Sequence, residues 1–337
     1  MKEIIVKIFH GYLMQINKNL LILFIWALLL IPVSINAQNY PTKSVRIITP
    51  TAAGGSLDTI TRIIGAKLSE SFNQQFIIDN RPGAGGMLGV EVVAKSAPDG
   101  YTLLVASNGN IATTQALYKN VPYDPIKDFS PIILFSETPY VLVTHISLPV
   151  KSISEFIKFA KLHPKKINYS SSGNGSTPHL AAELFVNMTG LDLVHIPYKG
   201  STAALNGLLT GEVVFKITGL PLAYPFIKNN RIRALAVASN KRSTNAPEIP
   251  TVHESGLPNY FANSWSGMLA PYGISMVILN KLNAEMLKII NYKDVKKLLN
   301  DQGFETLGGS PEEFSIFLKL EIIKWDKVIK KSKAKID

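Results

Sequence analysis

Short runs of β-branched and other apolar residues alternate along this chain with stretches in which apolar side chains recur every three to four positions. That is the patterning of an α/β protein with largely parallel sheets. Val45–Thr49, Phe76–Ile78, Thr102–Ala106 and Tyr140–Thr144 predict strands. Between the first two, Leu57, Ile60, Ile63, Ile64, Leu68 and Phe72 share one helical face, which gives a βαβ unit with Ser56 as the helix N-cap. The second half repeats the scheme. A helix over Ile153–Leu162 ends at His163-Pro164, and a strand follows at Asn168–Ser170. Next come a helix at Pro178–Met188, with Thr177 as N-cap and Gly190 closing it, and a strand at Val194–Tyr198. Ala203–Leu209 predicts a helix, and Val213–Ile217 and Ala234–Ala238 predict strands. From Met276 onward the pattern is helical, through Lys281–Ile290, Val295–Leu299 and Glu312–Ile329.

With 337 residues, 46% of them hydrophobic, the chain can bury a sizeable core and is expected to make two domains. No low-complexity linker divides it, so the expected lobes are joined by crossing strands. The chain leaves lobe one near Thr144 and returns near Tyr260, so that residues 38–144 plus 260–337 form a discontinuous lobe one and residues 145–259 form lobe two.

The N-terminus changes the picture of where the protein works. Leu20–Ile35 is nearly uncharged, preceded by Lys2, Lys7 and Lys18 and followed by Ser34-Ile35-Asn36-Ala37. This is the layout of a secretory signal peptide over residues 1–37, with cleavage after Ala37. A retained anchor is the alternative, and the run is short for a spanning helix of about 20 residues. There is no cysteine, hence no disulfide, no thiolate chemistry and no lipid on an N-terminal cysteine. A freely diffusing periplasmic monomer is the expectation. Of the formal charge of +11, the leader's lysines and Glu3 account for two, leaving about +9. These charges are scattered, and the dense run Lys324–Lys335 reads as the solvated face of a terminal helix, so nucleic acid is not expected as a partner. The positive field would still draw anionic solutes.

The candidate chemistry lies where strands run into Gly/Ser loops that open helices. Val45–Thr49 enters Pro50-Thr51-Ala52-Ala53-Gly54-Gly55-Ser56, and Asn168–Ser170 enters Ser171-Ser172-Gly173-Asn174-Gly175-Ser176-Thr177-Pro178. Each loop presents backbone N–H groups and hydroxyls at a helix N-terminus, where unpaired donors and the helix dipole favour an anion without a cationic side chain. Gly54-Gly55 would let backbone approach a ligand closely, or simply make a βα turn. Asp58, in the first helical turn, is read first as a structural carboxylate. Asn80–Gly86 is another glycine loop, without the order of a dinucleotide fingerprint. His179 could donate to a carboxylate or merely cap and pack. Tyr198-Lys199-Gly200-Ser201 repeats the strand-to-helix geometry, with Ser201 or Thr202 as cap.

Gly-x-Ser-x-Gly, a Walker loop, His-Glu-x-x-His and any i, i+4 His pair are all absent, so no catalytic residues, metal ligands or cofactors are assigned. Such a site is expected to hold a solute and leave it unchanged. A secreted serine hydrolase using the 170–177 loop with His179 is the enzymatic alternative, and a ligand sensor for a membrane signalling protein is another.

At the level of motifs the chain resembles the tripartite tricarboxylate transporter substrate-binding receptors, the Bug family. The matching segments are Pro50–Asp58, Asn80–Gly86, Ala97–Leu103, Tyr169–Leu180, His195–Gly200, Arg233–Ser239 and Glu254–Pro258 with Trp265 and Gly267. They run in family order over essentially the whole chain after the leader. The resemblance implies a type 2 periplasmic-binding-protein fold, two α/β lobes closing like a flytrap on a small organic carboxylate, and delivery to a membrane permease. Carried over, first-lobe contacts fall on Thr51, Ala52, Ala53, Gly54 and Gly55, with Ser107 and Asn108 at the next strand end. Second-lobe contacts fall on Ser171, Ser172, Gly173, Gly175, Ser176, Thr177, His179 and Tyr198, with Thr218 at the end of the Gly211–Thr218 segment. Two departures bear on the ligand. Many relatives have an aromatic residue at Thr51 and an aspartate at Thr218, and Lys216 is a further unusual feature nearby. Loss of that aspartate disfavours an amino-acid ligand such as aspartate.

Overall fold

The computed structural model describes residues 40–332. The signal peptide and cleavage point predicted from sequence, and the last five residues, lie outside them. The strands are β1 (Val45–Thr49), β2 (Phe76–Asn80), β3 (Thr102–Ser107), β4 (Phe129–Thr138), β5 (Tyr140–His145), β6 (Asn168–Ser171), β7 (Val194–Pro197), β8 (Phe215–Gly219), β9 (Ile232–Val237), β10 (Ser264–Pro271) and β11 (Glu305–Thr306). The helices are α1 (Ser56–Phe72), α2 (Met87–Ala94), α3 (Thr114–Leu117), α4 (Ile153–Leu162), α5 (Thr177–Thr189), α6 (Ser201–Leu209), α7 (Leu220–Lys228), α8 (Met276–Asn291), α9 (Lys293–Asp301) and α10 (Pro311–Lys331).

Two sheets form. One has the order β11-β4-β10-β3-β1-β2, the other β7-β6-β8-β5-β9. In the first, β1 runs parallel to β2 and β3, while β10 is antiparallel to both β3 and β4. In the second, β6 is parallel to β7 and β8, and β5 is antiparallel to β8 and β9. Each sheet is therefore mixed, where the βαβ patterning alone predicts largely parallel ones. The antiparallel members are the strands that pass between the sheets, and they need no crossover helix. The first passage falls at Pro139, between β4 and β5, so Tyr140–Thr144 belongs to the second sheet and not to the first. The return falls between β9 and β10.

Alternation places the core. Phe215 and Ile217 of β8 pack with Phe156, Tyr169, Phe185 and Tyr260 on one face, while Val141 and Val143 of β5 pack with Leu205, Leu208, Leu220 and Ala223 of α6 and α7 on the other. At the helix starts the caps differ by one residue from the sequence expectation. Gly55, not Ser56, is the N-cap of α1, and Gly200 is that of α6. Ser176 caps α5, its hydroxyl accepting from the His179 N–H, so Thr177 and Pro178 are the first two helical residues. Gly190 ends α5 in the left-handed conformation, as the sequence predicts.

Candidate functional site

Strands β1, β6, β7 and β8 each lead into a helix, α1, α5, α6 and α7. In open α/β sheets the crevice outside the carboxyl ends of such strands is where ligands sit. A cavity of about 330 Å³ occupies this position. The first turns of all four helices reach it, through Ser56, Pro178, Ser201 with Thr202, and Pro221 with Leu222. Thr138, Tyr140 and Ser264 come from the strands that pass between the sheets, Gln302 and Phe304 from the segment after α9, and Thr218 from β8. The lining is rich in hydroxyls and contains no Asp, Glu, Lys or Arg. Of the four helices, α1, α6 and α7 have no side-chain cap. At α1 and α6 the first N–H groups are unmatched donors at the positive end of the dipole, suited to a carboxylate, whereas at α7 the Leu220 N–H donates to the Pro139 carbonyl at 2.8 Å and Pro221 has no N–H to offer. The Thr218 hydroxyl is buried and has no hydrogen-bond partner.

The first predicted loop borders this cavity through its end. Thr51 to Gly55 lead directly to Ser56, but the Gly54 N–H donates to Asp58 Oδ2 at 2.8 Å. Asp58 also accepts from Arg62 Nε at 3.0 Å and, through Oδ1, from Asn80 Nδ2 at 2.9 Å; Asn80 in turn donates to the Thr51 carbonyl at 3.1 Å. Burial works to raise the Asp58 pKa, yet these bonds from Arg62, Gly54 and Asn80 hold it below the usual carboxylate range. Asp58 is thus the loop's own anion, consistent with the structural reading of that residue. It occupies Gly54 and shapes the turn, leaving the Ser56 end for a ligand.

The second predicted loop is knitted to itself. Ser171 Oγ lies 3.0 Å from the Gly173 carbonyl and 2.7 Å from His195 Nε2, and Ser176 Oγ donates to the Gly173 carbonyl at 2.6 Å. His179 Nδ1 accepts from the Gly175 N–H at 3.0 Å, so its proton sits on Nε2, 3.8 Å from Glu183 Oε1. Its ring stacks on His195 with centroids 3.8 Å apart. Both ring nitrogens of His179 therefore have neighbours other than a serine, and the close serine–histidine contact, Ser171 with His195, is part-buried, with no carboxylate hydrogen-bonded to His195 among the described residues. Thr177 and Ser172 remain at the open side. Tyr198 sits over Gly207, its phenol pushed up to about 12 by burial and the neighbouring Glu212. On the first-sheet side, Ser107 Oγ donates to Asn110 Oδ1 at 2.7 Å and the buried Asn108 donates to the Asn263 carbonyl at 3.3 Å. A Cβ on Gly109 would lie 3.6 Å from Thr177 Oγ1, so this turn and the start of α5 face each other across the crevice. Of the predicted residues, Thr218 lines the cavity itself; Gly55, Thr177 and His179 are chain neighbours of residues that do.

Of the other cavity residues, Ser56, Pro178, Ser201 and Thr202 belong to the strand-to-helix stretches read from sequence, and the rest were not singled out as site residues. Gly219-Leu220-Pro221 carries the same strand–glycine–helix signal as the two loops, with proline in the first turn of α7. Thr138, Ser264, Gln302 and Phe304 arrive by long-range folding and have no local signature.

Side chains tie the sheets together around the cavity. Asn263 accepts from the Tyr140 N–H at 3.1 Å and donates to Glu137 Oε2 at 3.0 Å. Tyr140, its phenol raised to about 12 by burial, meets Thr177 and Ser264. At the mouth, Glu305 Oε1 accepts from Ser243 Oγ at 2.5 Å and from the Thr244 N–H at 3.2 Å.

The stacked imidazoles give a pH prediction. Burial lowers His179 to about 3, with the His195 charge adding to it, and lowers His195 to about 4. In the unfolded chain both protonate near 6.5, so between pH 6.5 and about 4 the unfolded state binds more protons and stability falls as pH falls. The expected loss at pH 5 is on the order of 1 kcal/mol per imidazole. Denaturant titrations of wild type and His179→Asn at pH 7 and pH 5 check it: the variant should lose less between the two, and equal losses would refute the assignment.

Comparison with known proteins decides the family. Residues 60–333 match the model of the tripartite tricarboxylate transporter family receptor. The chain belongs to that receptor family. Among relatives of this receptor, a protein encoded between tcbD and tcbE in Pseudomonas sp. is 37% identical, with 86% of each chain covered. Protein BugT of Bordetella pertussis is 34% identical over 90% of this chain and 93% of its own. Two solved structures from Rhodopseudomonas palustris are similar. One, with adipate, shares 37% identity at a TM-score of 0.73 and covers 86% of this chain and 97% of its own. The other, MatC with bound malate, shares 31% at 0.71 and covers 86% and 100%. The two-lobe α/β architecture of these periplasmic receptors is the architecture found here.

Proposed function

We propose that this receptor captures a small organic carboxylate in the cavity between its two sheets and hands it to a membrane permease of the tripartite tricarboxylate type. The reading rests on one observation: a hydroxyl-lined cavity without ionised side chains, reached by the first turns of four helices, of which α1 and α6 have neither a side-chain cap nor a partner for their first N–H groups. Relatives with adipate and malate support the ligand class. Residues 38–144 plus 260–337 would act as one lobe and 145–259 as the other, with the boundary nearer Pro139. Closure then brings the α1 side and the α5–α7 side onto the ligand, and the ligand's preference for the closed form drives it. Neutral donors also keep the ligand releasable. Each charge-assisted bond contributes about 1.5–3 kcal/mol net, and a few of them after entropy losses give roughly micromolar binding. A periplasmic location follows from the family and from the signal-peptide reading of residues 1–37.

The test is a thermal-shift screen of the chain lacking residues 1–37 against di- and tricarboxylates, aromatic acids, amino acids and phosphorylated compounds, followed by calorimetry. A carboxylate should raise the melting temperature and bind with one site per chain. Stabilisation by phosphorylated compounds or sugars alone would overturn the reading.

A further inference from the structure

Beneath the cavity lies a charge that the capture mechanism has not used. Lys216, in the middle of β8, is 0% exposed, and among the described residues its Nζ has no hydrogen-bond or ion-pair partner. An ammonium taken out of water without a partner is costly, and such groups are rare unless another charge compensates them. The register says which face it occupies. Lys216 pairs with Val143 of β5 and with Ser170 of β6, and Thr218 pairs with Val141. Val141 and Val143 pack under α6 and α7, and Ser170 Oγ donates to the Ala204 carbonyl of α6. Lys216 and Thr218 therefore stand on one face of β8, two residues apart, about 6.6 Å along the strand. Thr218 is the rung that lines the cavity, and its hydroxyl is the other unpartnered polar atom on this strand. A buried cation lies one rung behind a buried, unsatisfied hydroxyl that opens into an anion-suited cavity.

We propose that Lys216 is a specificity-determining residue of the cleft, its ammonium serving, through the Thr218 rung, as the counter-charge for a second carboxylate of a dianionic ligand. The inference rests on the carboxylate-receptor reading and deepens it. The helix N-termini supply partial charges sufficient for one carboxylate; a full positive charge behind the Thr218 wall selects a ligand with a second one. It disfavours a monoacid of the same length, and it repels the ammonium of an amino acid.

The surroundings of Lys216 leave this role open to the ligand. The titratable groups on the elements around it are Tyr140 and His145 at the two ends of β5, Tyr169 on β6, Tyr198 and Lys199 before α6, Glu212 after α6, and Tyr224 and Lys228 on α7; Tyr140 and Tyr169 pair with Gly219 and Phe215 and so lie on the other face of the sheet. No titratable side chain lies within α6 itself. Glu212, the one acid of this set, is exposed and forms no ion pair with Lys216. Burial lowers the Lys216 pKa to about 8, so most chains carry the charge at neutral pH. A carboxylate bound above Thr218 raises that pKa again. Binding then takes up a proton around pH 8 to 9, and affinity for a dianion is strongest below pH 8 and falls as pH rises through it.

Calorimetry with adipate, malate and hexanoate at pH 7, 8 and 9, in two buffers of different ionisation enthalpy, tests this on wild type, Lys216→Met and the surface control Lys228→Met. Wild type should prefer a diacid to hexanoate by tenfold or more, take up a proton above pH 8, and lose up to about tenfold in affinity per pH unit there. Lys216→Met should fold, with a melting temperature equal to wild type or higher, since a buried charge is replaced by an apolar chain of similar size. It should lose both the diacid preference and the pH slope, whereas Lys228→Met keeps both. If wild type binds a diacid and Lys216→Met binds it equally well with the same slope, Lys216 is only structural and the proposal fails alone. If wild type binds hexanoate as well as or better than the diacids, the Lys216 proposal fails and the carboxylate reading stands; if it binds none of the three, the carboxylate reading falls and takes this one with it.

Discussion

Replacing Glu321 by alanine is expected to cost about 3–5 kcal/mol, the range for leaving buried donors and a buried charge without their partner. Glu321 is 4% exposed, and its Oε2 accepts from both Trp265 Nε1 and Trp325 Nε1 at 2.9 Å. Its other oxygen takes the Lys324 ammonium, which lies 4.6 Å from the centre of the Trp325 ring and 5.0 Å from that of Phe261. One carboxylate thus satisfies three donors from the return strand β10 and the last helix α10. Burial lowers the Lys324 pKa and Glu321 counteracts it. Alanine leaves two indole N–H groups unpaired and the ammonium with only the Phe261 carbonyl at 3.3 Å, and opens a cavity between Trp265 and α10. For a chain of this size the melting temperature should fall on the order of 5–10 °C. Glu321→Gln, which keeps one acceptor oxygen, should lose roughly half as much. Urea unfolding of the three proteins measures it, and a loss under 1 kcal/mol for alanine would show that this knot contributes little. The knot also has a functional address, because Ser264, which lines the cavity, immediately precedes Trp265.

How much of this could be read from sequence depends on how local the cause is. Val45–Thr49 and Ile153–Leu162 match residue for residue, because a β-branched run and an amphipathic decapeptide closed by His-Pro carry their own signals. β4 and β10 were not read. Phe129–Thr138 contains Pro131 and ends in Ser136, Glu137 and Thr138, and Ser264–Pro271 contains Gly267. Both are strands because each completes the other's ladder, at a position where Gly267 admits the Phe314 ring: a Cβ there would sit 2.2 Å from its tip. α2 was missed because Met-Leu-Gly-Val-Glu-Val-Val-Ala is apolar nearly all round and shows no amphipathic period. α7 was missed because Pro221 and Pro225 read as breakers, although the first is at home in an opening turn.

The same division holds at the site. Glycine and hydroxyls at helix starts mark where an anion would be welcome, and the two loops singled out lead to two of the four helix ends at the cavity. Which donors are left open is decided by partners at other distances. Asp58 claims Gly54 from four residues on, and His179 claims Gly175 from the same spacing. Those local claims are legible in hindsight as an acceptor one helical turn inside a glycine loop. The far wall is not: Gln302 and Phe304 lie more than eighty residues beyond Thr218 in the chain, and packing alone brings them to one cavity.

That far wall supplies the largest expected effect on binding. Gly303→Ala should weaken binding of the carboxylate that stabilises wild type at least tenfold while leaving the fold intact. Gly303 has φ +79°, and a Cβ there would lie 1.8 Å from Cγ and 2.5 Å from Cβ of Pro221. A proline ring cannot swing aside, and the start of α7 is fixed by the Leu220 N–H donating to the Pro139 carbonyl at 2.8 Å. Relief has to come from moving the segment after α9, on the first-sheet side, away from α7, on the second. That movement opens the cavity between Phe304 and Pro221. The left-handed backbone adds about 1 kcal/mol of strain in any state, but the clash exists only where the two sides meet, so it penalises the closed form selectively. A penalty on the binding-competent form is subtracted in full from affinity, at 1.4 kcal/mol per decade. The discriminating experiment is a double-mutant cycle read by calorimetry, in which Pro221→Gly removes both the ring and the Cβ that a side chain at 303 would meet and should restore most of the affinity lost in Gly303→Ala. If Gly303→Ala binds as tightly as wild type, Gly303 and Pro221 do not meet in the liganded receptor. If Pro221→Gly fails to rescue it, the loss comes from backbone strain at Gly303 and not from blocked closure.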